Sequence, residues 1–398
     1  MYPPMYPPTR DAFLLDPDLV FLNHGSYGAC PAEVFADYQR WQRELERNPV
    51  QFLGRRSGAL LAQARAVLAD YLGARADDLV FVPNATTGVN AVARSLALQP
   101  GDEVLAATDH EYGACVATWQ HACTQRGAVY RQVEVPLPFM PAGWVDSVMA
   151  AVTPRTRVIF ASHISSTTAL IFPVAELCAR ARERGILTVI DGAHAPGHIA
   201  LHLAAVGADF YTGNCHKWLC APKGAAFLHV RVQQQALLDA TVVSWGYVAG
   251  ADGAGDSPPN VLDSATGRTL LERRHQWQGT RDIAAFLAVP AAIAFQQQHD
   301  WPAVQRRCHD MACRTREQVA HFNGLAAIAP DDCFGQMLPI PVRCDDAEAL
   351  RQHLFDSHHI EVPVTQHRGR TFVRVSVQAY NTQADVDVLV QALRQAGV

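Results

Sequence analysis

The chain has 398 residues, with 33 lysines and arginines against 38 aspartates and glutamates, and a formal net charge of -5. This length allows one large domain and a smaller one, and the lack of a basic run disfavours nucleic acid as a partner. The ten cysteines have neither CxxC nor zinc spacing, the first residues lack a signal pattern, and no apolar run reaches the ~18 residues that span a bilayer. We therefore expect a soluble, cytoplasmic protein with reduced cysteines, no membrane contact and no metal site.

The N-terminal part begins with a repeated Met-Tyr-Pro-Pro, which predicts an extended arm over residues 1–17 rather than a folded repeat. A short strand is predicted over residues 18–22. The turn that follows, Asn23 to Gly28, holds several hydrogen-bonding side chains, and both a plain loop and a site role are open for it. Helices are predicted over residues 31–47 and 58–72.

The middle of the chain alternates apolar strands with helices. Strands are predicted over residues 78–82, 103–107, 157–161, 186–190 and 224–230. Such alternation predicts an α/β fold with a mainly parallel sheet, whose ligands bind at the carboxyl ends of the strands. We assign residues 18–283 to a large domain, and residues 284–398 to a connecting helix and a smaller α+β domain with strands over 337–342, 360–364 and 371–377.

A possible phosphate site follows the strand over residues 78–82. Ala85 and Thr86 lie where a helix begins, so free amides, a hydroxyl and the positive end of the helix dipole meet there. A simple N-cap is an equal alternative. Neither G-x-x-x-x-G-K-[ST] nor G-x-G-x-x-G occurs, which weakens a nucleotide interpretation.

Two charged residues stand at the ends of apolar strands. Asp191 ends the strand over residues 186–190. Lys217 comes just after a further buried-looking strand that begins near Asp209, with a histidine and small polar residues directly before it. A lone lysine there is usually an ordinary loop residue. Together with an upstream carboxylate it suits pyridoxal phosphate, with Lys217 forming the imine and Asp191 pairing with the pyridinium nitrogen.

Other polar residues at strand ends are less specific. Tyr112 and His110 follow the strand over residues 103–107, where a ring can stack on a flat cofactor, although a surface turn is the simpler interpretation. His110-Glu111 does not continue into HExxH, so a zinc-protease site is excluded there. The loop over residues 246–267 is rich in glycine and proline and is a candidate flap.

Six ordered motifs together resemble the class V aminotransferase family of fold-type-I pyridoxal-phosphate enzymes, within it the isopenicillin N epimerase-like branch. The resemblance runs from about Phe21 to Asn381. The motifs cover residues 22–28, 84–87, 191–194, 213–218, 278–282 and 374–381.

The resemblance implies a role for each matching residue. Lys217 is similar to the Schiff-base lysine, Asp191 to the partner of the ring nitrogen, and Tyr112 to the ring that stacks on the cofactor. The family pattern implies further cofactor contacts from Ala85, Thr86, His216, Ser166 and His194. Arg374 resembles the arginine that binds the substrate carboxylate, with Asn23 and His24 near the substrate. Thr280 resembles a phosphate ligand donated by a neighbouring subunit, which implies a homodimer with shared active sites.

One departure narrows the chemistry. Cysteine desulfurases need a nucleophilic cysteine shortly before the arginine strand, and residues 362–370 contain none. Epimerisation or racemisation at Cα is favoured, while a C–S β-lyase of the hercynylcysteine sulfoxide type, a transaminase and a silent binding protein of the same fold are alternatives. Epimerisation needs a second acid, for which Tyr112, His24 and His275 are candidates that the sequence does not rank.

Overall fold

A computed structural model describes residues 9–247 and 263–398. Residues 1–8 of the predicted arm and residues 248–262 of the predicted flap lie outside the described residues. In chain order the strands are β1 (Val20–Phe21), β2 (Leu79–Val82), β3 (Glu103–Ala106), β4 (Val129–Gln132), β5 (Thr156–Ser162), β6 (Leu187–Asp191), β7 (Phe210–Asn214), β8 (Ala226–Val230), β9 (Met337–Val342), β10 (Ile360–Glu361), β11 (Val364–His367) and β12 (Arg370–Ser376).

The helices connect and cover these strands. In chain order they are α1 (His24–Tyr27), α2 (Ala32–Arg47), α3 (Pro49–Gln51), α4 (Ser57–Leu72), α5 (Ala85–Ser95), α6 (Gly113–Arg126), α7 (Trp144–Ala150), α8 (Val174–Glu183), α9 (Leu203–Val206), α10 (Asp263–Thr266), α11 (Leu270–His275), α12 (Ala284–Leu287), α13 (Val289–Gln298), α14 (Trp301–Asn323), α15 (Ala347–His358) and α16 (Gln383–Ala396). No helix in the described ranges combines the length and apolar character needed to cross a membrane. All ten cysteines are free thiols.

The central sheet has the strand order β2-β8-β7-β6-β5-β3-β4. The pairs from β4 through β7 are parallel, whereas β8 runs antiparallel to both β7 and β2. The sheet is therefore mainly parallel, as predicted. Its edge strand β4 is absent from the sequence prediction because Val129-Tyr130-Arg131-Gln132 has no apolar run and is not buried.

Both faces of this sheet are covered by apolar residues. Along β5, Val158 and Phe160 belong to one buried cluster, while Ile159 and Ala161 belong to the other. This is the two-residue alternation of a strand between two helical layers. Because apolar side chains cover both faces of the sheet, a polar ligand is expected at the carboxyl ends of the strands.

The C-terminal part contains a second, antiparallel sheet with the order β11-β12-β9. The strand predicted over residues 360–364 is divided into β10 and β11. β1 pairs in parallel with β10, so the segment that precedes α1 is attached to the C-terminal part of the chain. The proposed division into residues 1–17, 18–283 and 284–398 stays a prediction.

The segment predicted as a polar turn, Asn23 to Gly28, contains one turn of helix, α1. Gly28 ends it with φ 70° and ψ 167°, a backbone conformation that is essentially restricted to glycine. A Cβ at Gly28 would lie 2.1 Å from the carbonyl oxygen of His216 and 2.9 Å from the Cα of Lys217. The glycine thus allows the N-terminal turn to pack directly on the backbone around Lys217.

Candidate active site

A cavity of about 360 Å³ lies at the carboxyl edge of the central sheet, next to Ser162, Asp191 and Asn214, the last residues of β5, β6 and β7. This volume is typical of small-molecule sites. The predicted site residues that line it are Ala85, Thr86, Tyr112, Ser166, Asp191, His194, His216 and Lys217. Asn23, His24, Thr280 and Arg374 are the predicted site residues that do not line it.

Lys217 follows β7 and is partly buried in the cavity wall. Burial, and then the positive charge of Arg374, lower the pKa of its amine to about 8. The Nζ atom lies 3.1 Å from Nε2 of His194. A lysine that is partly neutral near physiological pH is a competent nucleophile and base.

The hydrogen bonds of His194 define its tautomer. The indole Nε1–H of Trp218 donates to Nδ1 of His194 over 3.2 Å, so the imidazole proton is on Nε2. Burial and the nearby Lys217 hold the pKa of His194 well below its usual value, which keeps the ring neutral. His194 therefore presents an N–H donor towards Lys217, whose neutral amine accepts it.

Asp191 is buried at the end of β6. Its carboxylate accepts hydrogen bonds from the amide of Ala193 at 2.9 Å and from the thiol of Cys115 at 3.2 Å. Burial raises its pKa. No lysine or arginine of the described ranges forms an ion pair with it. Burying an ionised carboxylate costs free energy unless a cation lies beside it, and a protonated ring nitrogen would be such a cation.

The N-terminus of α5 provides the predicted anion site. Asn84 caps the helix by accepting the amide of Thr87, and Asn214 accepts the amide of Ala85, each at 2.8 Å. The amide of Thr86 lies in the first turn, where a helix supplies no acceptor, and its hydroxyl is beside it. Thr86 is therefore the stronger donor to a phosphate, while Ala85 contributes its position in the cavity wall.

His216 completes this end of the cavity. Its Nδ1 lies 3.0 Å from the carbonyl oxygen of Ala225, which is an acceptor, so Nδ1 donates the hydrogen bond. Burial lowers the pKa of the ring to about 4. His216 is thus fixed in orientation by the loop before β8.

Arg374 lies on β12, behind the cavity wall. Its guanidinium donates to Ser26 Oγ at 3.1 Å, to Ser166 Oγ at 3.2 Å and to the carbonyl oxygen of Ser166. Both serines line the cavity. The Nε atom has no hydrogen-bond partner within the described residues, and no carboxylate there pairs with the guanidinium. Because a buried, unpaired guanidinium is unfavourable, this arrangement suggests that Arg374 pairs with the anionic group of a ligand.

Asn23 and His24 lie behind the wall as well. Asn23 binds Glu361 at 3.0 Å and accepts from Ser26 Oγ at 2.5 Å. His24 uses one ring nitrogen for Tyr380 and the other for the carbonyl oxygen of Lys217, both at 3.1 Å. These contacts support the residues around the site, so the structure does not place either side chain where a substrate in the cavity would touch it.

Tyr112 and Thr280 differ in position. Tyr112 stands at the start of α6 with its ring half-exposed in the cavity. Thr280 is exposed in the segment between α11 and α12 and does not line the cavity of its own chain. Of the three candidates for a second acid, Tyr112 lines the cavity and His24 and His275 do not.

A buried carboxyl, Glu111, was not expected in the site. It accepts hydrogen bonds from the amide and the hydroxyl of Ser162, which lines the cavity, and burial raises its pKa to about 8. Cys115, the donor to Asp191, is equally unexpected. Glu111 could have been found in the sequence, because it stands beside Tyr112 at the end of a strand. Cys115 could not, because a single cysteine in a helix does not indicate a site.

These side chains fit pyridoxal 5'-phosphate. Thr86 suits its phosphate, the uncompensated Asp191 its protonated ring nitrogen, the Nε2–H of His194 its 3'-oxygen, and Lys217 its aldehyde. The fold and the cavity together define a pyridoxal-phosphate enzyme of fold type I.

Comparison with known proteins gives the family. The model of the class-V aminotransferases matches residues 28–389, and the chain belongs to that family. It is 39% identical over 396 residues to an isopenicillin N epimerase of Amycolatopsis lactamdurans, covering 97% of both chains. It is 30% identical to a putative L-cysteine desulfhydrase of Oryza sativa subsp. japonica, over 94% of this chain and 83% of that one.

A solved structure of a C-DES variant, with glycine covalently linked to its pyridoxal-phosphate cofactor, has the same fold. The TM-score is 0.82 at 21% sequence identity, over 97% of this chain and 99% of that chain. The expected family, fold class and cofactor are thus confirmed, and the cofactor of this enzyme is pyridoxal 5'-phosphate.

Proposed function

We propose that this enzyme inverts the configuration at Cα of an L-amino acid, as an epimerase or racemase. The proposal depends chiefly on Arg374, a buried guanidinium without a carboxylate partner in the described part of the chain, behind the cavity that Lys217 lines. Arg374 does not line the cavity itself, but its guanidinium is hydrogen-bonded to Ser26 and Ser166, which do. A substrate α-carboxylate that reaches the guanidinium between these serines supplies the anion and brings Cα to the same cavity as the lysine. The relative named isopenicillin N epimerase supports inversion as the outcome.

Each side chain of the site then has a distinct task. When bound, pyridoxal phosphate withdraws electrons and so acidifies the Cα proton. Lys217 removes this proton, since a pKa of about 8 makes its neutral form accessible. Asp191 holds the positive charge on the ring nitrogen. Arg374 fixes the carboxylate, so that Cα keeps one orientation during proton removal.

Tyr112 is our candidate for the acid that delivers a proton to the opposite face of Cα. Burial raises the pKa of its phenol, which therefore stays protonated at neutral pH. Its ring lines the same cavity as Lys217, as does the exposed Tyr27. Tyr112→Phe should slow inversion more than it slows loss of the Cα proton, because Lys217 is untouched. Tyr27→Phe is the matched control, and equal behaviour of the two variants contradicts the role of Tyr112.

A C–S β-lyase is the second candidate function, supported by the similarity to the putative desulfhydrase. In both reactions Lys217 removes the Cα proton, and the lyase then expels a sulfur group from Cβ. Incubation of the holoenzyme with candidate amino acids in deuterated water separates the two. Deuterium at Cα with inversion and without a keto acid supports the epimerase. Release of a keto acid without an amino acceptor contradicts it and supports the lyase.

We also propose a homodimer that shares its active sites. Thr280 is exposed and does not line the cavity of its own chain, and Tyr27 at the cavity wall is 75% exposed, so both are available to a second chain. Light scattering should give twice the 43.5 kDa of one chain. Thr280→Ala should weaken retention of the cofactor without dissociating the dimer. A monomeric, fully active enzyme contradicts this proposal.

The free state of the cysteines supports a reducing compartment, and we propose the cytoplasm.

A further inference from the structure

A second group of polar side chains lies outside the cavity, where the β11–β12 hairpin meets the central sheet. Asp109 and His110 follow β3, and His367 is the last residue of β11. The two imidazole rings have their centroids 4.0 Å apart. One donor atom from each of the three residues lies within 4.8 Å of the other two.

The spacing of these atoms fits a small cation. Nε2 of His367 is 3.5 Å from Oδ2 of Asp109, and Nε2 of His110 is 3.7 Å from Oδ1 of the same carboxylate. Two ligands on one tetrahedral Zn²⁺ at about 2.0–2.1 Å stand roughly 3.4 Å apart. The two histidines contact different oxygens of Asp109, so the side chains must shift to bring both imidazoles and one carboxylate oxygen onto the ion.

An orphaned atom points to a missing ligand. The side chain of His367 is 9% exposed, and its Nε2 has no hydrogen-bond partner within the described residues. His110 has the outer contact that metal-bound histidines use, because its Nδ1 is 2.7 Å from Thr168 Oγ1. Its Nε2 is 3.1 Å from the carbonyl oxygen of Val135, and metal binding requires that contact to be released.

We propose that Asp109, His110 and His367 form a Zn²⁺ site that ties the C-terminal hairpin to the central sheet. Two imidazole nitrogens and one carboxylate oxygen suit zinc, with water as the fourth ligand, whereas Mg²⁺ and Ca²⁺ require oxygen ligands. The sequence offered no such motif, since His367 is far from His110 along the chain.

Arg368 competes with the ion. It donates from Nε to Oδ2 of Asp109 over 2.7 Å and from NH2 to Oε1 of Glu134 over 3.1 Å. Its side chain is 44% exposed, so it can keep Glu134 and leave Asp109 to the metal. The positive charge beside the site weakens zinc binding. Removing it should therefore strengthen binding, which is the reverse of what loss of a ligand does.

An occupied site would also hold the segment that orients Arg374. Thr168 contacts His110, Thr365 of β11 donates to the carbonyl oxygen of Thr167 at 3.1 Å, and Ser166 holds the guanidinium. Zinc at the hairpin would thus stabilise the wall behind the cavity without touching the substrate.

The test is a titration of the metal-free holoenzyme with ZnCl₂ in a calorimeter, with the active-site cavity filled by cofactor. The variants are His367→Ala, Arg368→Gln and, as a control, His121→Ala at an exposed histidine of α6. We expect one Zn²⁺ per chain, binding at least about tenfold weaker in His367→Ala, tighter in Arg368→Gln and unchanged in His121→Ala.

Cobalt gives an independent measurement, because Co²⁺ in a four-coordinate site has intense visible absorption bands. The holoenzyme should show them above the cofactor spectrum, and His367→Ala should not. Binding of equal affinity in the wild type and His367→Ala overturns the proposal, as does the absence of binding in both the wild type and Arg368→Gln.

Discussion

Arg374→Gln separates a substrate-binding arginine from a structural one. The guanidinium is buried and has no carboxylate partner within the described residues, so the folded enzyme bears an uncompensated charge. Truncating one partner of a buried, hydrogen-bonded charge pair costs about 2–5 kcal/mol. At about 1.4 kcal/mol per tenfold, kcat/KM should fall about 30-fold to several-thousand-fold.

The stability of the same variant should change little or increase, since removal of an unpaired buried charge relieves a desolvation cost. The assays are steady-state kinetics with the amino-acid substrate and urea unfolding of the same preparation. Arg370→Gln, on the same strand but less buried, is the matched control and should keep near-normal kinetics. Our reasoning is refuted if Arg374→Gln retains kcat/KM within about threefold of the wild type, or if its activity falls only because the protein unfolds.

Three further predictions follow from the site. Gly28→Ala should lower the free energy of unfolding in urea by about 1–3 kcal/mol or more, because of the backbone conformation of Gly28 and the close approach of Lys217. Gly54→Ala is the control, since a Cβ there meets nothing within 4 Å, and it should not destabilise the protein. Equal effects of the two substitutions would contradict the argument. Capture of pyridoxal phosphate by the apoenzyme, followed by absorbance, should accelerate as pH rises, because the neutral amine of Lys217 reacts. The midpoint of the rise should lie near pH 8 and the rate should level off above it, whereas a midpoint near the ordinary 10.5 would be inconsistent with the lowered pKa. Asp191→Asn should raise the activation free energy by about 3–5 kcal/mol, so that kcat falls more than about hundredfold. The control Asp146→Asn, at an exposed aspartate, should leave kcat unchanged, and similar kinetics in the two variants would refute the role of Asp191.

The sequence predicted the parts of the site that depend on local pattern. Asp191 and Lys217 each follow an apolar strand, and the carboxyl ends of parallel strands meet at one edge, so their proximity in the cavity follows from the alternation of strands and helices. The start of α5 was predictable in the same way, from small and hydroxyl residues before a helical pattern.

Contacts between distant segments were not predictable. The thiol of Cys115 reaches Asp191 because α6 packs on the sheet, and no pattern in the helix indicates this. His24 was expected near the substrate, but α1 turns it towards Tyr380 and the backbone of Lys217. The role proposed for Thr280 requires a second chain, and the sequence of one chain does not give the position of its partner.

The identity of the lysine that binds the cofactor is the central claim, and the chain offers a natural comparison. It contains two lysines, Lys217 and Lys223. Lys223 donates to the carbonyl oxygen of Gly28 at 2.9 Å and does not line the cavity. Borohydride reduction of the yellow holoenzyme, followed by peptide mass spectrometry, should place one pyridoxyl group per chain on Lys217. A label on Lys223, or no label on either lysine, would contradict the account.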